Sequence, residues 1–222
     1  MIEQLSVVML SVPLFQVDAF TSRQFEGNPA AICLIEGAEL PVSVMTAIAS
    51  EMNLSETAFV RPLHAPHETF LTATHFALRW FTPMVEVSLC GHATLATAHV
   101  IFSALPESVT QLTFHTLSGE LLAERAGDFY SIFLPVADTV PFAEANLDFG
   151  NVDLVLKAVI GEAAVKELLY VPSRKRILVR LADDEEKGRE TLERLTPNFG
   201  TMTSLHDGSL CSSVTVTTKG KV

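Results

Sequence analysis

Glu56, Cys90, Gly91 and His92 are the residues whose types and neighbours point most directly to chemistry. Glu56 stands in NLSETAFV, between the end of a helical stretch and an apolar strand. Ionised carboxylates are rarely fully buried without a partner. Burial raises a carboxyl pKa towards neutrality, which is what a general base or proton shuttle needs. The plainer alternative is a helix-end carboxylate that faces solvent or accepts backbone N–H bonds. Cys90, Gly91 and His92 lie near the start of SLCGHATLATAHVIF, residues 88–102. Gly91 lets the chain turn sharply, and the residues after it read as a helix apolar nearly all round, the pattern of a buried helix. Its N-terminus offers free N–H groups and the positive end of the helix dipole, a site for a carboxylate. Cys90 is then either an activated thiolate or an inert buried thiol. Gly91 and His92 read equally well as a cap glycine and a packed histidine.

Weaker candidates surround these four. Asp18 in VDAF pins the adjacent loop more readily than it reacts. Asn28 in EGNPAA sits where a turn uses an asparagine side chain, with ligand contact as the lesser reading. Ser55, Thr21 and Ser22 are hydroxyls near turns, and Trp80 reads as core or cleft wall. His64 and His67 flank Pro66, which forbids a regular helix, so metal ligation there is discounted and no metal is expected. No GxSxG, GxGxxG or GxxxxGK[ST] run occurs, so neither a nucleophile elbow nor a nucleotide cofactor is indicated.

Composition narrows the class. The 222 residues are 48% hydrophobic and 18% charged, which supplies a core and argues against disorder. A net charge of −11 is no nucleic-acid footprint. Three widely spaced cysteines, Cys33, Cys90 and Cys211, form neither a disulfide framework nor a zinc pattern. The apolar start, MIEQLSVVMLSVPLFQ, has Glu3 and no leading basic residue, a poor signal peptide. No apolar run reaches membrane-spanning length. A soluble cytoplasmic protein is expected, with no membrane partner.

The elements that must position the candidates follow from periodicity and turn signals. Strands are expected at 13–20, 30–35 and 57–62, with a further strand or hairpin over 69–74 and 75–81. Between the second and third lies a helix opened by Pro41, with Val44, Ala47, Ile48 and Met52 on one face. After the helix from His92 come strands at 112–115, 119–125 and 129–134, with turns at 117–119 and 126–128. Residues 135–141 read as a linker. Beyond it a helix at 152–160, strands at 168–170 and 177–181, a charged solvated helix at 183–195 and a strand at 213–218 complete an α+β pattern.

Four stretches, VDAFTSRQFEGNPAAICL, MNLSETAFV, LRWFTP and EVSLCGHATLATA, occur in the order expected of the phenazine-biosynthesis PhzF-like family, which this chain resembles. The resemblance is strong over residues 15–134 and weaker through LLYVPSRKRILVRL and SVTVTTKGK. It implies a diaminopimelate-epimerase-like fold of two lobes, each a curved mixed sheet or barrel around a central helix, with boundaries at 1–134 and 135–222. It implies a cofactor-independent isomerase that moves a proton on a small carboxylate-bearing substrate. The SET motif puts the acid/base role on Glu56. The GH motif puts substrate binding on Gly91 and His92, with Ser55 adjacent and Asn28 as a further contact. Asp18 and Cys90 are secondary candidates. Cys90 departs from PhzF itself, where an alanine stands, and CGH resembles the motif in which diaminopimelate epimerases and proline racemases carry an acid/base cysteine.

The resemblance also implies a second-lobe motif like EDPxTGSA, and residues 135–222 hold none. The expectation is therefore a truncated chain whose second lobe lacks its central helix, packs poorly and leaves activity in doubt. Two other readings stay open: a binding or regulatory protein that keeps the fold without catalysis, and an epimerase or racemase using Cys90. A homodimer and a WD-repeat protein are the partners these readings imply.

Overall fold

Alternating residues of the early strands serve two different cores in the computed structural model, which describes residues 11–127, 129–205 and 208–219. Strand β1 is Leu14–Ala19, β2 Asn28–Leu34, β3 Thr57–Pro62 and β4 His75–Phe81. Successive side chains in a strand point to opposite faces. Ala30, Ile32, Ala58, Val60, Phe76, Leu78 and Trp80 therefore pack on one face, and Cys33, Phe59 and Phe81 on the other. Helix α1, Val42–Met52, covers the second face with Met45 and Ala49. Its buried stripe is turned from the expected one: Ala47 is exposed, and Val44, Ile48 and Met52 are only partly covered.

Helix α2, Gly91–Ala104, covers the first face and buries Ala93, Ala96, Ala98, Ile101 and Phe102, as its apolar sequence requires. Thr94 and Thr97 are also buried, and their hydroxyls donate to the carbonyls of Cys90 and Ala93 one turn back. No polar group of either threonine is orphaned by burial. Short β5, Glu86–Val87, pairs with β4, and β6 Gln111–Thr116, β7 Gly119–Ala126 and β8 Phe129–Phe133 extend the sheet. The strand order is β1-β2-β3-β4-β6-β7-β8, with parallel pairs at β2–β3 and β4–β6 and the rest antiparallel. Both edge strands, β1 and β8, touch α2. The mixed sheet therefore curls around this helix. Arg125 closes the far end: its guanidinium donates to the carbonyls of Phe102, Pro106 and Val109 at 2.7–2.9 Å and lies over the Phe102 ring.

The chain divides into two units, Met1–Pro135 and Val136–Val222. In the second unit, β9 Val140–Pro141, β10 Val165–Val171, β11 Arg176–Asp184 and β12 Ser213–Lys219 form a sheet ordered β12-β11-β10-β9. Helix α3, Val152–Ile160, contributes Val155, Val159 and Ile160 to a core with Tyr170, Ile177, Val179, Leu181 and Cys211. The segment expected to pack poorly thus builds a core of its own, although β12 is half-buried over residues 213–218. Helix α4 is Glu185–Glu193, and α5, Phe199–Leu205, stands against α3.

Three local expectations are corrected. Residues 69–74 form turns and not a strand, because Thr69 accepts from Ala73 and Thr72 within the segment. The expected linker contains β9, whose two residues pair with β10. Helix α5 has no counterpart in the sequence reading; it is seven residues long and meets the core only through the half-buried Met202 and Leu205, too short a pattern to announce a helix. The apolar run at residues 1–10 and the last residue of the expected turn at 126–128 lie outside the described residues. No helix of the described residues is long and apolar enough to cross a membrane.

Candidate active site

Glu56 is delivered by the way α1 ends. Asn53 caps the helix in the left-handed conformation (φ 51°), its N–H bonding the Ala49 carbonyl at 3.1 Å, and the chain reverses into β3. The Glu56 carbonyl then accepts from Ala31 N–H at 3.3 Å, which ties the residue to β2. Counting by twos from Ala58 and Val60 puts the Glu56 side chain on the α2 face of the sheet.

Cys90, extended at φ −143° and ψ 111°, takes the cap position of α2, and Gly91 and His92 begin the helix. The two segments meet. His92 Nε2 lies 3.4 Å from Glu56 Oε2 and 3.3 Å from Ser55 Oγ. Its other nitrogen, Nδ1, lies 3.4 Å from Cys90 Sγ. The His92 and Glu56 side chains keep only 10% and 20% of their surface in contact with solvent. Cys90 is buried, and burial pushes its thiol up to about 12. The N–H groups of Ala93 and His92 pull in the opposite direction, and the Glu56 carboxylate adds to the rise. The sulfur is therefore a neutral thiol at physiological pH, and the helix N-terminus does not convert it into a thiolate.

The sequence candidates separate into two groups. Glu56, Ser55, Gly91, His92 and Cys90 come together at the start of α2. Asn28 opens β2, two residues before Ala30 and on the same face, at the end of the strand pair where Ala31 is level with Thr57. Asp18 is engaged elsewhere: its Oδ2 accepts from Phe25 N–H at 3.0 Å and pins the loop between β1 and β2.

Two clefts among the described residues lie away from this cluster. One of about 540 Å³ is lined by Asp148, Asn151 and Thr203 in the second unit, and another of that size by His99, Glu107, Arg125 and Tyr130 at the far end of α2. Neither gathers a thiol, an imidazole and a carboxylate as the start of α2 does. One ligand atom each from Glu56, Cys90 and His92 fits within 4.8 Å of the others, so a metal ion could be held here. The sequence raised the metal question at His64 and His67; this trio was missed because its members come from two distant segments.

Comparison with known proteins places these features in context. The profile of a family described as phenazine biosynthesis-like protein matches residues 17–221. The human phenazine biosynthesis-like domain-containing protein is 43% identical over 212 residues, which is 96% of this chain and 70% of the human protein. An uncharacterized isomerase of Pseudomonas aeruginosa is 38% identical over 213 residues, again 96% of this chain and 70% of the relative. Among solved structures, a PhzF-family phenazine biosynthesis protein of Enterococcus faecalis superposes with a TM-score of 0.67 at 33% identity, covering 96% of this chain and 70% of that one.

Proposed function

The chain belongs to the phenazine biosynthesis-like protein family, and we propose that it is a cofactor-independent isomerase that moves a proton on a small carboxylate-bearing substrate, with Glu56 as general acid and base. The observation that carries the reading is the approach of Glu56 to His92 at 3.4 Å beside the N-terminus of α2. A relative 38% identical to this chain is named an isomerase, which supports the reaction class.

The geometry at the start of α2 supports this reading. The opening N–H groups of α2 and its dipole favour an anion, so the substrate carboxylate is held at Gly91 and His92. Ser55 Oγ and Glu56 Oε2 share the same imidazole nitrogen, which fixes the ring and the carboxylate relative to each other. Glu56 takes a proton from a carbon next to an electron-withdrawing group and returns it to another carbon of the same molecule. One carboxyl group serves as base and then as acid, so the net reaction needs no redox partner.

Cys90 is not given the acid/base role. A thiol held near 12 is a weak acid and is scarcely ionised at pH 7. The test is incubation of candidate unsaturated hydroxy- or amino-carboxylates in deuterium oxide. Carbon-bound deuterium appearing in substrate or product, dependent on Glu56, is the expected result. Ligand binding with no exchange in any candidate would favour the non-catalytic binding reading.

A further inference from the structure

We propose that Glu56, Cys90 and His92 form a binding site for a thiophilic divalent cation, Zn2+ or Co2+, and that occupancy of this site switches off the acid/base glutamate. The switching rests on the reading of Glu56 as the base; the coordination does not. A thiol, an imidazole and a carboxylate are the donor set that zinc takes, and magnesium or calcium would prefer oxygen alone. With a zinc–sulfur bond of about 2.3 Å and a zinc–nitrogen bond of about 2.0 Å, neighbouring ligands of a tetrahedral ion stand about 3.5 Å apart. Cys90 Sγ and His92 Nδ1 are 3.4 Å apart before any metal is added, and one ligand atom each from Glu56, Cys90 and His92, the imidazole offering one of its two nitrogens, fits within 4.8 Å of the others.

The donors are also pre-ordered. Cys90 caps α2, His92 is in its first turn, and Glu56 is tied to β2 through its carbonyl. Few side-chain rotations remain to be frozen on binding. Three protein ligands leave the fourth position for water, so the site resembles an open zinc site more than a closed structural one. Coordination replaces the S–H bond of Cys90 with a metal–thiolate bond and releases that proton to solvent. The glutamate oxygen that carried protons then carries the metal, and the isomerase stops.

The experiment uses the intact chain and Co2+, titrated anaerobically and followed by the near-ultraviolet absorption of cobalt–thiolate charge transfer. One equivalent should develop the band, Zn2+ should displace it, Cys90→Ser should abolish it and Cys211→Ser should leave it unchanged. Glu56→Gln should keep a thiolate band but weaken the affinity at least tenfold. Circular dichroism establishes that each variant is folded. No thiolate band, or a band that survives Cys90→Ser, overturns the site. A band together with isomerase activity indifferent to Zn2+ overturns the switch while leaving the coordination in place. Failure to find any isomerase substrate bears on the proposed function alone, because the spectroscopic readout needs no turnover.

Discussion

His92 stands between Glu56 and Cys90, with Nε2 3.4 Å from the carboxylate and Nδ1 3.4 Å from the sulfur. Both ring nitrogens are committed, so the imidazole cannot act on a substrate without changing what its neighbours feel. The carboxylate and the thiol therefore meet through one ring; the thiol is neutral, and the carboxylate is the group to which the proposed function gives the proton transfer.

Glu56→Gln tests that separation directly. The amide keeps the size of the side chain and a hydrogen bond to His92 while removing the proton carrier. General acid/base groups contribute about 10²–10⁴-fold, and a loss of that size in turnover is expected. Substrate affinity should change little, because the proposed function assigns the substrate carboxylate to Gly91 and His92. Steady-state kinetics and a thermal melt on the same sample check both points; turnover within threefold of the parent would remove Glu56 from the mechanism.

Cys90→Ser gives the opposite expectation. With the thiol near 12, alkylation by iodoacetamide at pH 7.5 should be slow and should accelerate about tenfold per pH unit up to that range. Turnover of the serine variant should stay within about tenfold of the parent, because what changes is one hydrogen bond to His92 Nδ1, worth about 1 kcal/mol. Rapid labelling at neutral pH, blocked by substrate, would revive the cysteine-based epimerase.

Much of the scaffold can be read from the chain because its signals are local. Strand β3 and helix α3 fall on the expected residues, Thr57–Pro62 and Val152–Ile160, since an apolar run bounds one and Gly161 ends the other. Short elements escape: α5 has seven residues and reaches the core only through half-buried Met202 and Leu205, and β9 is two residues long. The site is a different matter. Ser55 and His92 are 37 positions apart, and no spacing rule joins them. Their meeting depends on β2 pairing with β3 and on α2 lying across that face. Residue types named Glu56, Cys90 and His92 one by one, and only the resemblance in SET and GH joined them into one site in advance. The neutral state of Cys90 follows from burial in the folded chain, which no short motif reports.

Cys33 predicts an alkaline weakness. It is fully buried, and burial alone pushes its thiol from 9.0 up to about 12. Between those values the unfolded chain has lost the proton and the folded chain still holds it. The folded pKa is the raised one, so this stabilisation is complete below pH 9 and is lost as pH rises towards 12. Each such thiol steepens the fall in unfolding free energy by about 1.4 kcal/mol per pH unit across the window. Urea unfolding from pH 8 to 11 should show a shallower fall in Cys33→Ala than in the parent, whatever the cavity costs at pH 8. Parallel curves would mean that Cys33 ionises as freely in the fold as in the open chain.

Two glycines separate what the fold needs from what the ligand needs. Gly27 has φ +85°, and a Cβ there would come within 2.3 Å of the Ala19 carbonyl. Gly27→Ala should therefore destabilise the β1–β2 turn by about 1–3 kcal/mol. Gly91 is unlike it. A Cβ at Gly91 would meet Leu134 Cδ1 at 3.6 Å and Ile132 Cδ1 at 3.9 Å, ordinary contact distances, and its backbone is not left-handed. Nothing in the packing demands a glycine at the first position of α2. Gly91→Ala should leave stability within about 1 kcal/mol of the parent, since alanine is the better helix residue. Its methyl group would stand beside the N–H groups to which the proposed function assigns the substrate carboxylate, so KM should rise at least tenfold with kcat little changed. An unchanged KM in the folded variant would move the carboxylate away from the start of α2.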